Sequence, residues 1–143
     1  MSGQDHRTTR MAAPAVLLIT ALLVGACASE QEPEVQRVAV SFLRAIQDGD
    51  GAGACALLAP ETRRKVVQSA GAACEAAVMQ EELANGTGPS SEPGSVRVFG
   101  RSAQVVLASD TLFLGQFSGG WRVTAASCTP RGDRPYECQV QGG

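Results

Sequence analysis

Five cysteines carry most of the chemistry that this 143-residue chain offers. A cysteine sulfur can accept an acyl group, bind a metal ion, or be oxidised with a second thiol to a disulfide. The five are Cys27, Cys55, Cys74, Cys128 and Cys138. Because their number is odd, at least one of them cannot belong to a disulfide within the chain.

The segment before the first cysteine has the composition of an export signal. Arg7 and Arg10 give it a positive start, and residues 11–26 are uncharged and rich in alanine, leucine and valine. A helix that spans a membrane needs about 20 apolar residues. The uncharged run is short for that purpose and matches the apolar region of a signal peptide. We therefore predict a signal peptide over residues 1–26.

The residues around Cys27 indicate which kind of signal this is. The sequence VGAC at 24–27 resembles the lipobox of bacterial lipoproteins, in which an aliphatic residue and two small residues precede an obligatory cysteine. The resemblance implies that a diacylglyceryl group is attached to the Cys27 sulfur and that the chain is cut before this residue. Two or three acyl chains, such as palmitate, then give stable membrane anchoring. The alternative is a secreted protein cut after Ala26 or Ala28.

The lipoprotein hypothesis places the mature chain at the extracytoplasmic face of the cell membrane. Residues 27–33 would be a lipidated tether, and residues 34–143 are enough for one domain. The net charge is −2, and the sequence shows no cluster of basic residues with interleaved aromatic residues. We therefore expect no nucleic-acid partner.

The four cysteines after Cys27 form an even set. In an oxidising compartment they are expected to pair as disulfides, and three connectivities are possible. We favour the two local pairings, Cys55–Cys74 in the helical half and Cys128–Cys138 around a turn in the strand half. No two cysteines are spaced as C-x₂-C, so a zinc site is not expected.

Residues suited to acid–base catalysis are few. The single histidine, His6, lies in the predicted signal peptide, so no triad that requires histidine can form in the mature chain. The remaining candidates are Asp48, Asp50 and Asp110 with the single tyrosine, Tyr136. All three aspartates lie at expected turns, where aspartate is common for conformational reasons alone. We predict no catalytic constellation and no cofactor.

Hydrophobic spacing predicts a helical first half. From Val35 to Ile46 apolar residues recur with helical spacing, and Pro33 and Gly49 are placed to begin and end this helix. Asp50 is placed to cap a short second helix. Further helices are predicted over 61–68 and 74–83, followed by a loop over 85–95.

The second half alternates between apolar and polar residues, as strands do. The predicted strands are 96–98, 103–107, 112–117, 121–125 and 136–140. In the fourth of these, Trp121, Val123 and Ala125 are expected to share one face. Helices followed by an antiparallel meander predict an α+β domain.

The order of these segments resembles a known superfamily. The helix sequence VAVSFLRAIQDGD is followed by ACALLAP, a further helix, and a strand region containing GGWRVTAASC and YEC. Residues 34–141 are in this respect similar to nuclear transport factor 2-like (ketosteroid isomerase-like) proteins, and more narrowly to small actinobacterial lipoproteins of that superfamily. The resemblance implies a cone-shaped, cystatin-like fold, in which helices pack on a strongly curved antiparallel sheet around a cavity.

Such a fold does not determine a function. We expect a non-catalytic module of the cell envelope that binds a small apolar ligand or a membrane protein partner. The alternative is a small cofactor-free enzyme of the isomerase or cyclase kind, with a carboxylate base in the cone cavity. A third possibility is a structural envelope component with a filled core.

Three further patterns have simple structural explanations. The basic triplet RRK at 63–65 is expected on a solvated helix face, although it could also meet anionic lipid headgroups. The tripeptide RGD at 131–133 is expected to arise by chance. Trp121, with Phe113 and Phe117, could line a ligand pocket, but core packing at a hairpin is the stronger expectation.

Overall fold

The computed structural model describes residues 23–80, 93–108 and 110–142. Within these ranges the helices come first and the strands follow. The elements are α1 (Leu23–Gln47), α2 (Gly51–Leu57), α3 (Pro60–Ala70), α4 (Cys74–Gln80), β1 (Ser95–Phe99), β2 (Ser102–Val106), β3 (Thr111–Phe117), β4 (Gly120–Arg131) and β5 (Arg134–Gln141). The strands form one antiparallel sheet in the order β1-β2-β3-β4-β5. The helices pack against this sheet, which confirms the α+β prediction.

Some sequence predictions lie outside the described residues. These are the signal peptide up to residue 22, the end of the predicted helix over 81–83, and most of the loop over 85–95.

Helix α1 begins earlier than the sequence predicted. It starts at Leu23, and Pro33 lies inside it, so the prediction that Pro33 begins the helix is wrong. A proline within a helix removes one hydrogen bond and can kink the helix. The alanine, glutamate and glutamine residues on both sides are good helix formers, and the helix continues through the proline. Residues 27–33 are therefore helical.

The predicted apolar face of α1 is confirmed. Its side chains are at most 4% exposed and belong to the hydrophobic core: Val35, Val38, Ala39, Phe42, Leu43 and Ile46. The chain leaves α1 at Gly49, where φ is 74°. Glycine adopts this left-handed conformation at no steric cost, so it ends the helix as predicted.

The short helices α2 and α4 are held together by a disulfide. Asp50 begins α2, and its Oδ1 accepts a hydrogen bond of 2.8 Å from the Gly53 amide. Cys55 of α2 is bonded to Cys74 of α4. Isolated helices of seven residues are unstable in water, so the bridge and the packing around it hold this part of the helical layer in place.

Strand β4 contains an extra residue relative to β3. Leu114 pairs with Val123, whereas the preceding residue Phe113 pairs with Ala125. Thr124 is thus the additional residue of a β-bulge. Because directly paired residues share a face of a sheet, Ala125 lies with Phe113 on the face away from the helices. The prediction that Ala125 shares a face with Trp121 and Val123 is wrong for this reason.

The bulge also connects the sheet to the helical layer. The Val123 carbonyl accepts a hydrogen bond of 2.8 Å from the Ala59 amide, in the linker between α2 and α3. The Thr124 carbonyl accepts bonds of 3.0 Å from the Thr62 hydroxyl and from the Gly142 amide. These bonds fix α3 and the C-terminal residues at one position along β4.

Large apolar side chains fill the space between the helices and the sheet. Trp121, Phe42, Leu112 and Leu114 are each at most 2% exposed. Smaller side chains from every strand complete this core, and the disulfide between Cys55 and Cys74 lies within it. Trp121 therefore packs in the core, as the sequence predicted.

Candidate functional site

The two predicted disulfides are both present. Cys55 is bonded to Cys74, and Cys128 of β4 is bonded to Cys138, the residue directly opposite it on β5. Together they use the four cysteines that follow Cys27. Cys27 itself is in the first turns of α1, near the start of the described residues. None of the helices in the described part of the chain is long and apolar enough to cross a membrane.

The carboxylates Asp48 and Asp50 lie on the surface at the end of α1. Asp50 caps α2 through the bond to Gly53. Neither aspartate lines either of the two surface grooves described below. The capping role of Asp50 is the one the sequence predicted.

Among the residues that the structure describes, Asp110 is the buried carboxylate, at 9% exposure. Its Oδ1 accepts hydrogen bonds from the Thr111 amide at 2.6 Å and from the Cys128 amide at 2.9 Å. The residue before Cys128, Ser127, has a φ of 51°, a left-handed conformation that is unfavourable for a residue with a side chain. Asp110 therefore ties the start of β3 to this irregular part of β4.

Burial raises the pKa of the Asp110 carboxyl above its ordinary value of 3.8, and the backbone amides of Cys128, Thr111 and Ser127 oppose this shift. Desolvation penalises the charged form, while hydrogen bonds donated to the carboxylate favour it. The desolvation effect is larger. A raised pKa is typical of a general base, but the hydrogen bonds of this carboxylate are to the backbone, which is a structural role.

We expect the variant Asp110→Asn to gain stability relative to the wild type as the pH rises. With a raised pKa, the folded chain binds the Asp110 proton more tightly than the unfolded chain does. The resulting stabilisation is complete below the ordinary carboxyl pKa and is lost as the pH rises through the folded pKa. Asparagine does not titrate, so the variant does not lose stability in this way as the pH rises.

Urea unfolding of both proteins, at pH values on either side of the ordinary carboxyl pKa, measures the difference. A difference in unfolding free energy that stays constant with pH would contradict the raised pKa. An unfolding free energy of the wild type that increases relative to that of the variant as the pH rises would also contradict it.

The first groove lies on the sheet face away from the helices, and we call it the outer groove. It has a volume of about 380 Å³ and is lined by Phe113, Thr124, Ala125, Pro135, Tyr136, Cys138, Gln141 and Gly142. Tyr136 belongs to β5 but reaches across β4. Its ring makes an edge contact with Phe113 of β3, with ring centroids 5.1 Å apart. Its hydroxyl accepts a hydrogen bond of 3.2 Å from the Gln104 side chain of β2.

The chemistry of the outer groove is that of a binding surface. Its walls are largely apolar, and the Tyr136 hydroxyl supplies a polar group. None of the described residues that line it carries a carboxylate. Asp110 is not among the residues that line this groove, so the described lining does not combine a carboxylate base with the Tyr136 hydroxyl, as enolate chemistry would require.

The second groove lies between the helices and the β3–β4 turn, and we call it the arginine groove. Its volume is about 480 Å³. Three of its lining residues are arginines: Arg63 and Arg64 from α3 and Arg122 from β4. The other lining residues are Cys55, Ala56, Leu58, Pro60, Phe117, Ser118 and Gly119.

Sequence reasoning identified only part of the arginine groove. The first two members of the RRK triplet at 63–65 line the groove. For Arg122 the strand pattern predicts no role beyond its place between Trp121 and Val123. Its approach to α3 depends on the contact between Leu58 and Val123, which form an isolated parallel bridge. No local pattern in the sequence signals such a long-range contact.

The RGD tripeptide at 131–133 is not part of either groove. The RGD tripeptide forms the exposed turn between β4 and β5, where Arg131 makes a 3.3 Å ion pair with Glu137. The described residues include no group of three potential metal ligands. Phe113 lines the outer groove and Phe117 the arginine groove, so the two phenylalanines do not form one pocket with Trp121.

Comparison of the chain with models of protein families, with curated proteins and with solved structures finds no match. The functional argument therefore depends on the residues and their geometry.

Proposed function

We propose that this protein is a bacterial lipoprotein, anchored through Cys27 to the extracytoplasmic face of the cell membrane, whose domain is a non-catalytic binding module. The observation that carries the proposal is the use of the cysteines. The two disulfides use the four cysteines after Cys27, and the fifth is the cysteine of the VGAC sequence. A lipidated Cys27 accounts for the odd number.

The disulfides also support an extracytoplasmic location. Disulfides persist in oxidising compartments and are rare in the cytosol, where thiols are kept reduced. Cys55, Cys74 and Cys128 are at most 4% exposed, and the Cys55–Cys74 bridge lies in the hydrophobic core. A chain with this framework requires export, which the predicted signal peptide would provide.

Binding is favoured over catalysis by the position of the carboxylates. Asp110 is held by backbone amides, and the described lining of each groove contains no carboxylate. The outer groove offers apolar walls and one phenol, which suit a small apolar ligand. The isomerase or cyclase alternative would need Asp110 to leave its amide partners, so we do not favour it.

The family assignment is part of the same proposal. The order of elements, with helices first and an irregular antiparallel sheet second, supports the resemblance to nuclear transport factor 2-like proteins. The resemblance implies a cavity between the helices and the sheet. Large side chains pack in that space, so an experimental structure should examine it first.

The anchor is tested by the intact mass of the protein isolated from bacterial membranes. The expected product begins at Cys27 and carries a diacylglyceryl group on its sulfur. Metabolic labelling with palmitate should give a labelled wild type and an unlabelled Cys27→Ser variant. The matched control, Ala28→Ser, changes the next residue and should keep the label. An unlipidated product that begins at Cys27 or Ser29 would refute the anchor and favour the secreted alternative.

A further inference from the structure

The arginine groove brings together positive charge from two separate elements. Arg63 and Arg64 come from α3, and Arg122 comes from β4. Arg64 is ion-paired with Glu61, whereas Arg63 and Arg122 make no ion pair with any residue that the structure describes. Arg122 is held by a hydrogen bond of 2.9 Å from its Nη1 to the Trp121 carbonyl. The chain as a whole has a net charge of −2, so this cationic groove is a local feature.

The groove also has an apolar side. Phe117 is 39% exposed and lines the groove beside the turn residues Ser118 and Gly119. Leu58 lines it from the helical side. Aromatic side chains are favoured at the boundary between lipid and water, where arginine can also contact headgroup phosphates. A surface that combines guanidinium groups with an exposed ring matches this boundary.

The groove lies at the end of the domain from which α1 runs back to Cys27. A Cβ atom placed on Gly120, beside the β3–β4 turn, would lie 3.6 Å from Oε1 of Glu34 and 3.7 Å from Nη1 of Arg122. The side chains of Glu34 and Arg122 are therefore neighbours. Glu34 lies in α1, which is continuous back to Cys27. At about 1.5 Å per residue, the cysteine is about 10 Å away along the helix axis.

From this placement we propose that the arginine groove docks on the phosphate groups of anionic phospholipids in the membrane that holds Cys27. The proposal rests on the lipoprotein function given above. The distance of about 10 Å is close to the range over which charges act at physiological salt. The acidic residues nearby, Glu61 and Glu34, offset part of the charge: Glu61 is paired with Arg64, and Glu34 is 3.7 Å from Arg37. Arg63 and Arg122 are left to contact lipid.

The test uses the full lipidated protein reconstituted in vesicles of phosphatidylcholine, with or without phosphatidylglycerol. A nitroxide at Ser118→Cys reports the groove, and one at Asp133→Cys reports the opposite end of β4. We expect the label at position 118 to be shielded from a water-soluble relaxation agent only in the vesicles with phosphatidylglycerol. The shielding should disappear in about 1 M salt, where the screening length falls to about 3 Å. The label at position 133 should stay accessible in both.

Charge-matched variants separate the groove from general charge attraction. The double variant Arg63→Gln with Arg122→Gln should lose the shielding at position 118. The control, Arg97→Gln with Arg134→Gln, removes two exposed arginines elsewhere on the sheet and should keep it. Equal accessibility of position 118 in both vesicle types would overturn the proposal, as would equal loss in the two double variants.

Flotation of the same samples reports the anchor independently. A lipidated chain floats with both kinds of vesicle. In that case the accessibility of the label at position 118 tests the docking of the arginine groove. A chain that does not float with phosphatidylcholine vesicles would refute the anchor. The groove is then judged by flotation with phosphatidylglycerol vesicles, for which each arginine of the groove should contribute about fivefold in binding. The docking proposal fails if the Arg63 and Arg122 double variant floats as well as the wild type.

Discussion

The variant Trp121→Ala is expected to lose about 3–5 kcal/mol of unfolding free energy. Trp121 is 1% exposed and is the largest fully buried side chain in the described chain. A domain of this size has a total stability of about 5–15 kcal/mol. Removal of the indole would therefore take away a large part of it, because the surrounding core can collapse only partly into the vacated space.

The local structure around Trp121 makes relaxation difficult. Val123, two residues further on β4, is fully buried and hydrogen-bonded through its carbonyl to Ala59. The strand is therefore fixed to the helical layer close to the site of the cavity. A strand held in this way cannot shift inward to fill the space, which places the expected loss in the upper part of the range for such substitutions.

Two comparison variants define the Trp121 experiment. Trp121→Phe keeps most of the buried apolar surface and removes an indole Nε1 that has no hydrogen-bond partner among the described residues, so it should cost less than Trp121→Ala. Phe117→Ala, at a ring that is 39% exposed, should have a small effect. Urea unfolding followed by far-ultraviolet circular dichroism measures all three. A loss below about 1 kcal/mol for Trp121→Ala would contradict the described core.

Removal of the bridge between α2 and α4 is expected to cost about 3 kcal/mol. The variant Cys55→Ala with Cys74→Ala opens a loop between cysteines 19 residues apart, and the figure follows from the chain entropy that such a loop regains when unfolded. Alanine is the appropriate replacement because both cysteines are at most 4% exposed. Serine would add a buried hydroxyl group to the loss of the bridge.

The second bridge provides the matched control for local structure. Cys128 and Cys138 are 10 residues apart on strands that are also joined by backbone hydrogen bonds. Removal of this pair should reduce the overall stability by a similar amount, while the β4–β5 hairpin remains. Removal of the first pair should in addition expose the amides of α4 to hydrogen exchange. Equal protection of α4 in both variants would show that packing alone holds this helix.

Local patterns in the sequence predicted most of the fold. Apolar spacing identified the buried face of α1, and Asp50 and Gly49 marked the adjoining ends of two helices as the structure has them. The disulfide pairings followed from the placement of the cysteines in the two halves. These features depend on residues close together in the chain, which is why periodicity and turn chemistry suffice to find them.

Features that depend on distant residues were missed. The bulge at Thr124 leaves no signature in the sequence, because alternation continues through the strand while its register with β3 changes. The arginine groove joins residues from α3 and β4 that meet only when the helices pack on the sheet. The start of α1 differs from the prediction for another reason: a proline is typical of the first turn of a helix, and here Pro33 is tolerated inside a long one.

The extra residue in β4 also determines where the chain can accept changes of length. Deletion of Thr124 would remove the bulge and leave Trp121, Val123 and Ala126 on their present faces, but it would also remove the carbonyl that accepts hydrogen bonds from Thr62 and Gly142. A change of length there would thus disturb the attachment of α3 and the C-terminal residues to β4. The turn at Gly132 and Asp133 is exposed, and a change of length at that site alters only the hairpin tip. Among relatives of this protein, we expect variation in length at such turns and a constant count of residues across β4.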